Sequence, residues 1–327
     1  MRNWKKLGCA IAAYGLACCN TAAAQDWPTR PLTMVVPFAA GGPVDVLGRL
    51  LQPALGEALG QQVIIENISG AGGMVGSLRV SQAPPDSHQF VLGSIGTHAL
   101  NQVLYKKPLY NVATDFAPVI LIADAPLVLI VRKDLPANNL QEFIAYAKAN
   151  QSKMQYGSGG TGTSAHIGCV LLNQAIGVDI THVPYRGGGP AMQDLIAGRI
   201  DYVCNYVSTA LPAVQGHTAK VVATLARARS TAFPDIGTAH EQGLKDFDVS
   251  AWNAMFMPKS TPAPIVGKLN AAASRVLDTP AVRKRLDDIG LIVATPERRS
   301  SQYLAKFVTG EIEKWTAPIK ASGLSAD

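Results

Sequence analysis

A β-strand that runs through a glycine-rich turn straight into a helix occurs twice in this chain. That repeat confines the chain to a small set of α/β folds. In the first copy an apolar run of β-formers, 32–36, meets Pro37-Phe38-Ala39-Ala40-Gly41-Gly42-Pro43. Leu47, Leu50, Leu51, Ala54, Leu55, Ala58 and Leu59 follow at helical spacing, so one helix face is apolar. Pro53 inside that run predicts a kink or an early break. In the second copy 154–158 leads into Gly157-Ser158-Gly159-Gly160-Thr161-Gly162-Thr163, with a helix from about Ser164. Strands at 63–66, 90–93, 180–184, 200–205 and 220–225 alternate with helices around 140–149, 190–197 and 208–215. Such alternation predicts a parallel, doubly wound sheet.

Two more apolar runs, 119–122 and 127–132, are separated by Ala123-Asp124-Ala125-Pro126, and 247–257 is again rich in β-formers. The remainder, 264–277, 280–289 and 296–320, reads as helices that each begin near a proline. A helical tail belonging to neither unit must pack somewhere, and the simplest solution returns it to the first unit. The chain then crosses between two lobes near 123–127 and 248–252. The expected division is 25–125 plus 250–327 for lobe 1 and 126–249 for lobe 2. Two lobes joined by two strands make a hinged cleft, a favoured place for a ligand.

Residues 1–24 read as a Sec-type signal peptide rather than as part of the fold. Arg2, Lys5 and Lys6 form a basic start, 7–19 is apolar, and Thr21-Ala22-Ala23-Ala24 supplies small residues for cleavage after Ala24. An uncleaved membrane anchor and a lipoprotein at Cys18 are the alternatives. Removing the leader lowers the formal net charge from +6 to +3. Apolar residues make up 48% and charged residues 16%, enough apolar surface for a sizeable core. No Lys/Arg-rich run interleaves with aromatics, so no nucleic-acid partner is expected. Only Cys169 and Cys204 remain after the leader; two separate buried thiols are expected, a single bridge being the alternative.

The two glycine loops carry the chemistry. A helix N-terminus presents unpaired N–H groups and partial positive charge, so it attracts carboxylate, phosphate or sulfate. The second loop adds hydroxyls at Ser158, Thr161, Thr163 and Ser164 and an imidazole at His166. Four hydroxyls exceed what N-capping needs, although His166 could instead satisfy the helix terminus or a carbonyl. Asp45 sits in the first helical turn, where it either favours the helix dipole or receives an ammonium, hydroxyl or water-bridged group of a ligand.

Other chemistries find little support. Gly157-x-Gly159-x-x-Gly162 formally matches a dinucleotide fingerprint, but Asp179 precedes the next strand instead of ending it, so no nicotinamide cofactor is expected. There is no phosphate-binding Gly-x-x-x-x-Gly-Lys-Ser/Thr loop and no Gly-x-Ser-x-Gly elbow. The six histidines are scattered and Cys-x-x-Cys is absent, so neither a metal nor any other cofactor is expected, and no nucleophile–base pair suggests an enzyme.

Six motifs then coincide in order: Pro37-Phe-Ala-Ala-Gly-Gly-Pro-Val-Asp45, Asn67-Ile-Ser-Gly-Ala-Gly-Gly73, Gly96-Thr-His98, Asp115-Phe-Ala-Pro118, Tyr156-Gly-Ser-Gly-Gly-Thr-Gly-Thr-Ser-Ala-His166 and His182-Val-Pro-Tyr-Arg-Gly-Gly-Gly-Pro190. With them, essentially the whole chain after the leader resembles the substrate-binding proteins of tripartite tricarboxylate transporters, the Bug or TctC family. The resemblance implies a two-lobed periplasmic binding protein fold, type II-like, each lobe a mixed or parallel sheet flanked by helices. It implies no catalysis, a small organic mono-, di- or tricarboxylate as ligand, inner-membrane transporter subunits as partners, and a monomer. Carried over by position, Phe38, Ala40, Gly41, Gly42 and Asp45 would serve the ligand from lobe 1. Ser158, Gly159, Thr161, Thr163, Ser164 and His166 would serve it from lobe 2, with Asn205 flanking. Ser94, Thr97 and His98 would line the far side. Ala40, Val44 and Cys204 depart from the common pattern of proline, a hydroxyl residue and an acid at these places. The loss of a hydroxyl at Val44 and of a charge on the cleft wall at Cys204 mildly favours an apolar or aromatic carboxylate. A sensor module for the same ligands and a secreted enzyme on the same scaffold are the rival functions.

Overall fold

The computed structural model describes residues 27–85 and 88–326; the leader and its cleavage position lie outside them. The chain opens with β1 (Leu32–Val36), α1 (Pro43–Leu59), β2 (Val63–Asn67), α2 (Met74–Ser81) and β3 (Gln89–Ser94). A π-type turn, Gly96–Leu100, and the short helices α3 (Asn101–Leu104) and α4 (Val112–Asp115) lead into β4 (Phe116–Arg132). Then come α5 (Leu140–Asn150), β5 (Gln155–Ser158), α6 (Ser164–Ile176), β6 (Thr181–Pro184), α7 (Gly188–Ile196), β7 (Tyr202–Tyr206), α8 (Val207–Gln215) and β8 (Ala219–Thr224). The chain closes with β9 (Ser250–Pro258), α9 (Ala263–Asp278), α10 (Pro280–Asp288), β10 (Ile292–Val293) and α11 (Ser301–Ala321). Among the described residues no helix is long and apolar enough to cross a membrane.

The strands follow the order β2-β1-β3-β9-β4-β7-β5-β6, with β8 and β10 also paired to β4. Around β1 and around β5 the pairing is parallel, as strand–helix alternation dictates. The sheet is nevertheless mixed, because β4 and β9 run antiparallel to their neighbours. The two apolar runs expected at 119–122 and 127–132 form one 17-residue strand. Most of its residues are buried, with α9, α11 and α8 packed against it, so a nearly unbroken apolar run suits it. Pro126 sits at the last β9 pair, opposite Ser250, where a missing N–H costs least. From Leu127 onward β4 pairs with β7 and β8 instead. Thus β4 carries the chain from one lobe to the other, and β9 returns it beside β4.

The helical tail packs on the first lobe, α9 against α1 and β4, α11 against β4. It also clamps both crossing strands. Arg298 forms a two-pronged ion pair with Asp124 on β4, and Trp252 on β9 donates to Glu311 of α11 at 3.0 Å. Asp124 and Trp252 are themselves register partners. Pro53 does not break α1, which runs through it. The proline lies on the exposed face, where water can satisfy the carbonyl left without a donor.

Candidate functional site

The C-terminal ends of β3 and β7 and the N-termini of four helices converge where the lobes meet. A small chamber lies there, lined by Phe38, Pro43, Val44, Ser94, Gly159, Thr163, Ser164, Ala165, Gly188, Asn205 and Tyr206. The centre of a water-sized sphere can roam over about 30 Å³ inside it, enough for one carboxylate-sized group. Pro43 and Val44 begin α1, Ser164 and Ala165 begin α6, Gly188 begins α7, and Tyr206 is the N-cap of α8. Four partial positive charges therefore face one space. None of the lining residues carries a charged side chain.

Two side chains supply donors. Asn205 is 1% exposed, and its Oδ1 accepts from the Tyr206 N–H at 2.9 Å. Its Nδ2 is buried without a hydrogen-bond partner. The neighbour of that amide is Gly188, where an added Cβ would come within 2.8 Å of Nδ2. Tyr206 accepts from Ser164 Oγ at 3.0 Å, and burial pushes its phenol up to about 12 against that hydrogen bond's opposite pull. It stays protonated and keeps a hydrogen to donate.

The structure gathers Phe38, Ser94, Gly159, Thr163, Ser164 and Asn205 into the chamber and turns the other expected contacts elsewhere. Asp45 faces its own loop. Its carboxylate accepts from the Gly41 N–H at 2.9 Å, from Asn67 Nδ2 at 2.9 Å and from Arg49 Nε at 2.8 Å. Burial raises its pKa, but Arg49 and these hydrogen bonds together outweigh that and hold it below the usual carboxylate range. Its carboxylate thus reaches back over the helix start and caps it. Gly41 and Gly42 spend their N–H groups on Asp45 and on the Ala39 carbonyl, and with Ala40 they abut the second lobe instead of the chamber.

Thr163 caps α6 by accepting from the His166 N–H at 3.3 Å while donating to the Gly160 carbonyl at 2.7 Å. Ser158 lies behind the loop, bonded to Gly160 and to His182 Nε2 at 2.7 Å. His166 also lies behind it. Its Nδ1 accepts from the Gly162 N–H at 3.3 Å, and its ring lies 4.2 Å from that of His182. Burial, then proximity to His182, pulls His166 down to about 3, and burial pulls His182 to about 4. Both are neutral supports of the second loop. Thr97 ties back to Ser94 at 3.0 Å, and His98 is wholly buried, stacked 3.8 Å from Phe256. Neither reaches the chamber. Thr161 opens onto a separate cavity.

The two cysteines are joined rather than separate, with Cα atoms 5.3 Å apart. Strand alternation explains the pairing and corrects the expected place of Cys204. Tyr202, Cys204 and Tyr206 share one face of β7 and meet α6 through Asn173, Cys169 and Ser164. Cys204 is therefore buried between strand and helix and takes nothing from the cleft wall. Tyr206 escaped the sequence reading because β7 passes into α8 without a glycine to mark the turn. Gly188 stood in a recognised motif but was given no role. Among the described residues no group of three His, Cys, Asp or Glu is placed to hold a metal.

Comparison with known proteins places this geometry. The model of the tripartite tricarboxylate transporter family receptor, TctC, matches residues 47–324. A UPF0065 protein of Agrobacterium vitis is 38% identical over 303 residues, covering 92% of this chain and 87% of that protein. MatC of Rhodopseudomonas palustris with bound malate superposes with a TM-score of 0.86 at 41% identity, covering 90% of this chain and all of that one. Rpa4515 of R. palustris with adipate gives 0.87 at 32%, covering 91% of this chain and 99% of that one. The chain belongs to the TctC family of tripartite tricarboxylate transporter receptors.

Proposed function

We propose that this protein is a periplasmic solute-binding receptor that captures a small organic carboxylate and hands it to inner-membrane subunits of a tripartite tricarboxylate transporter. The reading rests above all on the convergence of four helix N-termini and the unpaired Asn205 amide on one uncharged chamber. Such a site neutralises an anion with dipoles, not with a counter-charge. The malate and adipate in the two R. palustris relatives support the same ligand class. An aliphatic acid suits the chamber better than an aromatic one, because Cys204 no longer argues for an apolar wall and the space is narrow.

On this reading the exported chain is cleaved after Ala24, acts as a monomer and has no catalytic role. Its lobes, 25–125 plus 250–327 and 126–249, close over the ligand. A thermal-shift screen of mono-, di- and tricarboxylates, amines and sugars tests it, followed by calorimetry on the hits. Stabilisation by one or a few aliphatic carboxylates is expected. Stabilisation by amines or sugars alone would overturn the reading.

A further inference from the structure

The disulfide lies one residue from the chamber. Cys204 precedes Asn205 on β7, and Cys169 stands about one and a half turns along α6 from Ser164. Both cysteines are wholly buried. The bridge thus joins two elements that line the chamber, α6 by its N-terminus and β7 by Asn205 and Tyr206. Gly168 seats α6 closely. An added Cβ there would lie 3.2 Å from Leu127, 3.4 Å from Cys204 and 3.5 Å from Val249. Leu127 and Val249 stand where the two crossing strands enter and leave lobe 2, so α6 rests against both crossings as well as against β7.

Three ties run side by side between α6 and β7. Tyr202 donates to Asn173 Oδ1 at 2.6 Å at the end away from the chamber, the disulfide joins the middle, and Ser164 donates to the Tyr206 hydroxyl at 3.0 Å at the chamber itself. The outer two are bonds between neutral groups, which are weak and easily exchanged. Only the middle one is covalent. A carboxylate in the chamber would draw on the free N–H groups that begin α6 and on the unpaired Nδ2 of Asn205, that is, on both elements at once. A hydrogen bond weakens steeply when its donor is misaligned, so two donors on separate elements serve one carboxylate only while their spacing is fixed.

We propose that the Cys169–Cys204 bridge is a positioning element for ligand binding: it holds the α6 N-terminus and the Asn205 amide at the spacing one carboxylate requires, so the receptor reaches full affinity only when oxidised. This rests on the carboxylate reading of the chamber. Calorimetry with succinate, malate and adipate tests it on three forms shown to be folded by circular dichroism. They are the oxidised wild type, the wild type refolded from urea in dithiothreitol, and Cys169→Ala/Cys204→Ala. Refolding in a glutathione mixture makes the bridge: oxidised glutathione takes two electrons and two protons from the two thiols and leaves as two molecules of glutathione. Acids that bind the oxidised form should bind the other two roughly five- to thirtyfold more weakly, a part of the value of one charge-assisted hydrogen bond. Refolding the reduced chain in the glutathione mixture should restore its affinity. Leu140→Ala controls for lost stability alone, since it removes buried volume from α5, which has no residue in the chamber lining. It should keep affinity within about twofold, as expected of a distant site. In an Asn205→Ala background the loss of the bridge should cost no more than about twofold, because the donor it positions is gone. Equal affinity of oxidised and reduced protein would overturn the positioning role while leaving the function standing. So would an equal loss in Leu140→Ala, or an undiminished loss in the Asn205→Ala background. Failure of the oxidised wild type to bind any of the three acids would overturn both the positioning role and the carboxylate reading.

Discussion

Asn205→Asp is the most discriminating single change at the chamber. The substitution is nearly isosteric and keeps the oxygen that accepts the Tyr206 N–H at 2.9 Å, so β7 and the start of α8 should hold. The other terminal atom changes from the unpaired amide donor to a carboxylate oxygen. If the ligand's carboxylate takes that donor, two losses add. The charge-assisted hydrogen bond is worth about 1.5–3 kcal/mol. Two negative charges about 4 Å apart repel by roughly 4 kcal/mol at an effective dielectric near 20. Together they predict at least a thousandfold loss at pH 8. Burial disfavours the new charge, so its pKa should stand above the usual aspartate value, and affinity should return as the pH falls through it. Calorimetry at pH 8 and pH 5 on folded protein, with a ligand ionised at both, reads the effect. Affinity at pH 8 within threefold of wild type would refute the claim that Asn205 faces the bound anion.

The remaining expectations concern the supports of the site. Replacing Cys169 and Cys204 together by Ser opens a cross-link between residues 35 apart, which should cost roughly 3–4 kcal/mol in urea unfolding on a chain-entropy estimate; an unchanged midpoint would contradict the stitched interface of α6 with β7. Gly72 adopts φ +61°, and a Cβ there would lie 2.3 Å from the Thr161 carbonyl across the seam. Gly72→Ala should therefore hold the lobes apart, giving a larger radius of gyration by solution scattering at saturating ligand and a weaker affinity; identical scattering would count against closure at this seam.

Much of the architecture was legible before the structure, because strand–loop–helix order follows from local patterning. The place of the chamber was also legible, since helices that start after glycine loops advertise their N-termini. What stayed hidden was decided in three dimensions. Whether a hydroxyl turns to a ligand or to its own loop depends on how the loop folds back and on partners that residue order does not reveal. Thr163 finds the Gly160 carbonyl and Ser158 finds His182, so both are spent on the loop. Asp45 shows the same limit: Asn67, on the neighbouring strand β2, completes its set of donors. The two halves of β4 read as separate strands because Pro126 looks like a break, yet a partner change happens to fall there. The resemblance puts Cys204 on the cleft wall, but its neighbour Asn205 lines the chamber and alternation along β7 sends the cysteine the other way.

The pH behaviour of binding and of folding should separate in this protein, and that separation tests the idea of an anion site without titrating charge. The chamber itself contains no group that changes charge between pH 5 and 8, since Tyr206 is held near 12 and no lining residue is ionic. The second loop rests on His166 and His182, held by burial at about 3 and about 4. A ligand ionised throughout should thus bind with constant affinity from pH 8 down to about 5. Stability should not be constant. His98 and His166 have folded pKa values near 3, against about 6.5 when unfolded. Below pH 6.5 the unfolded chain takes up protons that the native state refuses. Stability is therefore fully present above the unfolded value and falls as the pH drops toward the folded one, by up to about 1.4 kcal/mol per pH unit for each histidine. Thermal or urea unfolding across pH 4–8, beside calorimetry over the range where the protein stays folded, distinguishes the two curves. A dissociation constant that falls tenfold between pH 7 and pH 5.5, with no change in stability, would mean that a histidine touches the ligand after all, because the imidazolium it becomes attracts the anion. His166→Asn should then remove that dependence. Under the arrangement described here it should instead lower stability, by loosening the Gly162 anchor, and leave the binding curve flat.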